Sequence, residues 1–235
     1  MTSRASLLAL ALAVFGFAAS LAIGPEGVGL PGAADAARMV LIEIRLPRAI
    51  LGALVGAALG LAGAALQGYL RNPLAEPGLL GISGGAALGA VTAIHSGLAG
   101  AFALALPLGG LVGASVAAIA IVALAGMSGS TTSLILAGVA VSAITAALTT
   151  LALNLSANPF ASVEIMVWLM GSLTDRSLVH VWLAAPLILV GLAMLLTTGR
   201  DLEALSLGEE AAQNLGVDPQ VLRFKIIAGA ALAVG

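Results

Sequence analysis

From Pro77 to Val163 this sequence contains no charged residue. In water, a stretch that long would have to be buried on every side, and a soluble domain normally carries about 25% charged residues. Here 9% of 235 residues are charged and 60% are hydrophobic. A soluble fold of this composition would have a greasy exterior as well as a greasy core. The solvent must therefore be lipid. In lipid the backbone has to satisfy its own hydrogen bonds, and only helices and closed barrels do so. The period-two alternation of barrel strands is missing. An all-α, polytopic transmembrane helix bundle is the expected fold.

Charges punctuate the chain, and the gaps between them are the expected spans. Ala5–Gly24 follows Arg4 and could pass for a signal peptide. It is long enough to cross about 30 Å of hydrocarbon, however, and further spans follow, so it reads as a first transmembrane helix. Ala49–Leu70 is the second. Turn chemistry at His95-Ser96-Gly97 and Gly126-Met127-Ser128-Gly129-Ser130 divides the rest into helices near 79–95, 103–125, 132–153 and 178–197. A last apolar run begins near Val221 and stops at Gly235 in mid-span. Residues 1–235 read as a single transmembrane domain of six complete spans plus the start of a seventh. In that scheme 1–24 is the first span and 25–48 an outer loop. Residues 49–197 hold spans two to six, 198–220 a polar segment, and 221–235 a truncated seventh span. With the N-terminus inside, Arg4, Arg71, Arg200, Arg223 and Lys225 are internal, and Arg38, Arg45, Arg48 and Arg176 external. That asymmetry alone does not set the orientation.

Several chemistries are excluded. Cysteine is absent and the net charge is −2, which removes thiolate sites and argues against nucleic acid as a partner. Lys225, the only lysine, sits between Phe224 and Ile226 rather than in a phosphate-binding loop, so this chain cannot hydrolyse ATP. Gly81-Ile82-Ser83-Gly84-Gly85 imitates a serine nucleophile motif, as in an intramembrane protease, but needs a base nearby. His95 lies about 18 Å along the next helix, and His180 begins a span on the other side. Ser83 is better read as capping or bending the third helix. The two histidines are too far apart in the chain for a good metal site. No catalytic, cofactor-binding or metal-binding residue is expected. An ATP-independent transporter or channel stays as the alternative, although such proteins usually place ionisable groups at mid-membrane.

Gly52, Gly56, Gly60, Ala64 and Gly68 recur every four residues, and Gly109 and Gly113 repeat the spacing. Such a stripe suits either a path through the membrane or close helix packing. Gln67 beside it marks a path or bonds a neighbour. In Arg71-Asn72-Pro73-Leu74-Ala75-Glu76-Pro77-Gly78-Leu79-Leu80-Gly81-Ile82-Ser83, the prolines and glycines forbid a continuous helix and suggest a broken helix entry.

Taken in order, Arg45-Leu46-Pro47-Arg48, Gln67, Asn72-Pro73-Leu74-Ala75-Glu76-Pro77-Gly78, Gly81-Ile82-Ser83, Leu207-Gly208-Glu209-Glu210-Ala211-Ala212 and Leu215-Gly216-Val217 resemble the membrane permeases of iron-siderophore, haem and cobalamin ABC importers. The resemblance runs from about residue 38 to the end. It implies a multi-pass protein of the bacterial inner membrane with about ten spans in an intact member, so the present sequence is expected to be C-terminally truncated. It also implies a second permease copy, in a homodimer or pseudo-dimer within membrane lipid. A cytoplasmic ABC ATPase dimer would hold the ATP, and a periplasmic substrate-binding protein would deliver the cargo. Arg45 and Arg48 would then face the periplasm and pair with carboxylates of that binding protein; otherwise they anchor a helix end at the headgroups.

Asp201, Glu203, Glu209, Glu210 and Asp218 are five of the 11 acidic residues. By the resemblance, their segment forms two short helices against the ATPase, with Leu207, Gly208, Glu209, Glu210, Ala211, Leu215 and Gly216 at the contact. Leu202 and Leu205 extend the apolar repeat, which needs something to pack on. Asn158-Pro159-Phe160 reads as an outer turn. Glu164, Trp168 and Gly171 follow in a segment that the resemblance places near an outer gate.

Overall fold

The computed structural model describes residues 2–24, 27–29, 34–102, 104–126, 130–156, 159–174 and 176–235. Its helices are α1 (Thr2–Ala22), α2 (Ala34–Met39), α3 (Leu46–Leu70), α4 (Ile82–His95), α5 (Leu98–Ala101) and α6 (Ala105–Ala125), then α7 (Thr131–Asn154), α8 (Pro159–Met170), α9 (Leu178–Leu196), α10 (Gly199–Leu205), α11 (Glu209–Asn214) and α12 (Pro219–Val234). Among the described residues, five helical stretches are long and apolar enough to cross a membrane: Arg4–Ala22, Asp35–Leu70, Ala105–Ala125, Thr131–Asn154 and Leu178–Leu205. This is the polytopic all-α bundle that the composition demands. The chain divides into two compact units, Met1–Ala57 with Ser172–Leu187, and Ala58–Gly171 with Ile188–Gly235.

In the first unit, α1 exposes Leu7, Leu8, Leu10, Leu12 and Phe15, as a helix meant for lipid does. A short antiparallel pairing follows, Ile23–Gly24 with Gly27–Val28. The expected outer loop 25–48 is in large part helix. Residues 25, 26 and 30–33 lie outside the described residues, but α2 begins at Ala34 and runs through a π-helical turn, Val40–Arg45, directly into α3. The reason is general. Asp35, Arg38 and Glu43 end an apolar run, but a helix makes its backbone hydrogen bonds internally and can continue into water. Charges report where lipid stops, not where helix stops.

In the second unit, the expected span 79–95 is a broken one. Pro77–Leu80 forms a 3₁₀ turn and α4 starts only at Ile82. Gly81 joins them with φ +71°, and a Cβ there would lie 2.8 Å from both the nitrogen and the Oγ of Ser142. Only glycine satisfies both demands. Gly81 is also the N-cap, without a side-chain hydrogen bond, so Ser83 does not cap this helix.

The closest helix pairing in this unit is α4 against α6. A methyl on Gly85 would lie 2.6 Å from the carbonyl oxygen of Gly113, and one on Gly109 would lie 2.8 Å from that of Gly89. Backbone meets backbone there, which is how membrane helices gain dispersion contact without a hydrophobic driving force. Val91, Ile94 and Ile165 form a small core with Trp168 and Leu153 packed on it, so the Glu164–Trp168 segment belongs to α8. Asn158 and residues 127–129 of the expected breaks lie outside the described residues. At the second break, Ser130 caps α7 by accepting from the Ser133 amide at 3.2 Å. The final helix α12 packs on α9, where Gly191 leaves room for Gly229 and Ala233.

Candidate functional site

The polar segment between α9 and α12 folds as two short helices, α10 and α11, as the resemblance implied. Gly208 makes the corner between them with φ +116°, and Gly216 ends α11 with φ +90°. Both are conformations that a side chain resists. Leu205 and Ala212 turn inward and are buried, whereas Leu207 is 70% and Leu215 65% exposed. Glu209 and Glu210, in the first turn of α11, are exposed, as is Glu203, and Ala211 is half-buried. The outward face thus combines apolar knobs with carboxylates.

Under this segment lies a cavity of about 740 Å³. Tyr69, Ser130, Thr131, Gln213 and Arg223 are among the side chains that line it. Arg223, grouped with Lys225 on the inner side by the sequence, is 1% exposed. Lys225 instead pairs with Asp201 at 3.8 Å.

The loop after α3 is tightly organised. Asn72 accepts from the Leu74 amide through Oδ1 at 2.9 Å, and its carbonyl accepts from the Ala75 amide at 3.1 Å. With Pro73 in between, this is a β-turn whose φ is set by the ring and whose start is held by an Asx bond. Pro73 and Leu74 are exposed and Ala75 is buried. Pro77 and Gly78 open the 3₁₀ turn, and the Gly78 carbonyl accepts from Ser142 Oγ at 3.4 Å. Gln67 donates from Nε2 to the Ala75 carbonyl at 3.3 Å, so it ties the loop to α3. Arg71 donates to the carbonyl of Leu205 at 2.8 Å. Nothing in the sequence pattern revealed that contact.

The arginine pair is not a pair in its bonding. Arg45 donates to the Leu21 carbonyl at the end of α1 at 2.8 Å. Its guanidinium lies so close over Gly24 that a Cβ there would overlap Nη2 and sit 3.1 Å from Cζ. Arg48, one turn on in α3, is exposed.

The stripe on α3 also differs from close packing. Nothing lies within 4 Å of a Cβ built on Gly56 or Gly60, and Gly52 meets only Leu173 at 3.7 Å. The buried apolar residues of this helix include Ala49, Leu51, Ala58, Ala62, Ala65, Leu66 and Leu70. A spacing of four puts small residues on one stripe but does not say what covers it: among the described residues, Gly68 meets Leu202 at 3.6 Å while nothing covers Gly56 and Gly60. The two remaining decoys separate cleanly. Ser83 lies in the first turn of α4 and His95 is its last residue, while His180 spends Nδ1 on the Ser177 amide at 3.2 Å.

A family model described as the FecCD transport family matches residues 7–235. The chain belongs to the FecCD transport family. Its relatives include the uncharacterized ABC transporter permease YvrB of Bacillus subtilis, 38% identical over 83% of this chain and 56% of that protein. The cobalamin import permease BtuC of Halobacterium salinarum is 38% identical over 80% of this chain and 50% of its own length. The vitamin B12 import permease BtuC of Salmonella paratyphi A is 37% identical over 82% and 59%. The chain therefore spans between half and three-fifths of the curated FecCD relatives it matches. A solved inward-facing ABC transporter of the metal-chelate type superposes with a TM-score of 0.81 at 29% identity, covering 98% of this chain and 74% of that one.

Proposed function

We propose that this FecCD-family chain serves as the membrane permease of an ATP-driven importer in the bacterial inner membrane, carrying an iron-siderophore, haem or cobalamin-type chelate. The relatives' cobalamin and metal-chelate names support the substrate class. ATP is hydrolysed on a separate ATPase dimer, this chain pairs with a second permease copy in a homodimer or pseudo-dimer, and a periplasmic binding protein delivers the chelate to that pair.

One observation carries the reading: Leu207 and Leu215 stand exposed beside Glu209 and Glu210, on a segment whose inner face is already buried. Exposed leucines among carboxylates are the make-up of a docking face for another protein, with apolar anchors inside a charged rim. Closure of the ATPases on ATP moves α10 and α11, and that motion passes to the spans, so that the path between them opens alternately to either side. The open glycine face of α3 suits a path for a bulky solute, because it leaves backbone and small side chains along the wall. At the outer end, Arg48 offers a free guanidinium fork to the binding protein, and Arg45 stands beside it.

Co-purification tests the reading. Leu207→Asp combined with Glu209→Lys and Glu210→Lys should abolish recovery of the ATPase with the permease from detergent extracts, while membrane insertion is kept. Undiminished recovery would overturn the assignment of this face.

A further inference from the structure

α3 ends in a Schellman motif, with the Asn72 amide donating to the Gln67 carbonyl at 3.1 Å and the Arg71 amide to that of Gly68 at 3.4 Å. The residue at the left-handed position of this motif is usually glycine. Here it is Arg71, with φ +48°, the only non-glycine residue of positive φ among the described residues. Such a conformation is strained for a side chain and persists where surrounding contacts hold it.

The contact that holds it is the bond from its guanidinium to the Leu205 carbonyl, the last of α10. The same two elements touch a turn earlier, where a Cβ on Gly68 would lie 3.8 Å from Cβ of Leu202. At its other end α10 is held by Asp201, paired with Lys225 of α12. The short helix is therefore clamped at both ends, to α3 through a charge-assisted bond and to α12 through an ion pair.

We infer that Arg71 is the strut that transmits displacement of the coupling segment to the inner end of α3, with Asp201 and Lys225 sharing the load to α12. This rests on the ATPase-docking reading above. A helix of two turns has little packing of its own to push with, and its movement reaches a span only where something rigid joins them. The strained start of Arg71 aims the side chain across to α10, a direction that the preceding helix would not provide. Arg71 is a positioning residue, and it acts through α3 rather than on the cargo.

The test uses the assembled transporter, with its ATPase and binding protein, in proteoliposomes. Arg71→Ala should keep ATPase co-purification and basal hydrolysis but lower transport per ATP by about tenfold or more. Arg71→Lys, which keeps a charged donor, should recover most of it. A covalent replacement separates strut from scaffold. Cysteines at Gly68 and Leu202 would place their Cβ atoms at the spacing of a relaxed disulfide, about 3.8 Å, in a chain without other cysteines. Oxidising that pair in the Arg71→Ala background should restore transport per ATP, and reduction should remove it again. The inference is overturned if Arg71→Ala transports with unchanged stoichiometry, if it loses the ATPase outright, or if the closed disulfide leaves it uncoupled. Failure of the docking reading is seen separately, as ATPase retained by the Leu207, Glu209 and Glu210 variant.

Discussion

Substituting Gly89 by alanine should destabilise this protein, whereas the same change at Gly60 should not. The Gly89 methyl would overlap the carbonyl oxygen of Gly109 on α6, and would sit 2.8 Å from its carbon and 3.1 Å from Cα of Gly113. None of these atoms can rotate away, because all are helix backbone. Bringing the carbon alone from 2.8 Å to about 3.4 Å means moving one helix by roughly 0.6 Å, and clearing the overlapped oxygen takes more, which loosens the dispersion contacts along the whole α4–α6 seam. Overpacking of this kind typically costs about 1–3 kcal/mol. The helix-propensity gain of alanine over glycine is about 1 kcal/mol in water-soluble hosts and opposes it. A net loss of up to about 2 kcal/mol is expected for Gly89→Ala, a factor of up to about 30 in the folding equilibrium. At Gly60, nothing lies within 4 Å, and the propensity gain stands alone. Unfolding by increasing SDS in mixed micelles, followed by circular dichroism, would measure both. Equal midpoints for Gly89→Ala, Gly60→Ala and the parent would refute the packing argument.

Reversal of Arg45 and Arg48 to glutamate should weaken docking of the binding protein by about tenfold or more at low salt, with membrane insertion intact; surface plasmon resonance on reconstituted transporter that showed unchanged affinity would remove the docking role. Gly24→Ala should push the Arg45 guanidinium off the Leu21 carbonyl and free the end of α1 without changing any charge. Faster labelling of a cysteine placed at Ile23 would register it, and an unchanged rate would deny that Arg45 holds that end.

Much of this protein was legible from its residues because lipid leaves the backbone few options. Once Pro77 to Val163 is seen to lack charge, helices are the only economical solution, and proline and glycine then mark where they break. The broken entry at Pro77–Gly81 was readable for the same local reason: φ and hydrogen bonding are set within a few residues. The two short helices around Gly208 were legible only through the family resemblance. What covers a helix is another matter. The glycine stripes of α3 and α6 look alike as spacing, yet among the described residues Gly56 and Gly60 of the first lie open while Gly109 and Gly113 of the second press backbone to backbone on α4. Arg45 and Arg48 read as equals, yet one is bound to a helix end and the other exposed. Arg71 looked like a boundary charge and proved to join α3 to α10. Local sequence determines where a helix forms and stops, because those bonds close within one turn. Only the tertiary structure decides which carbonyl a guanidinium reaches and which glycine face meets another, because those contacts depend on residues far away in the chain.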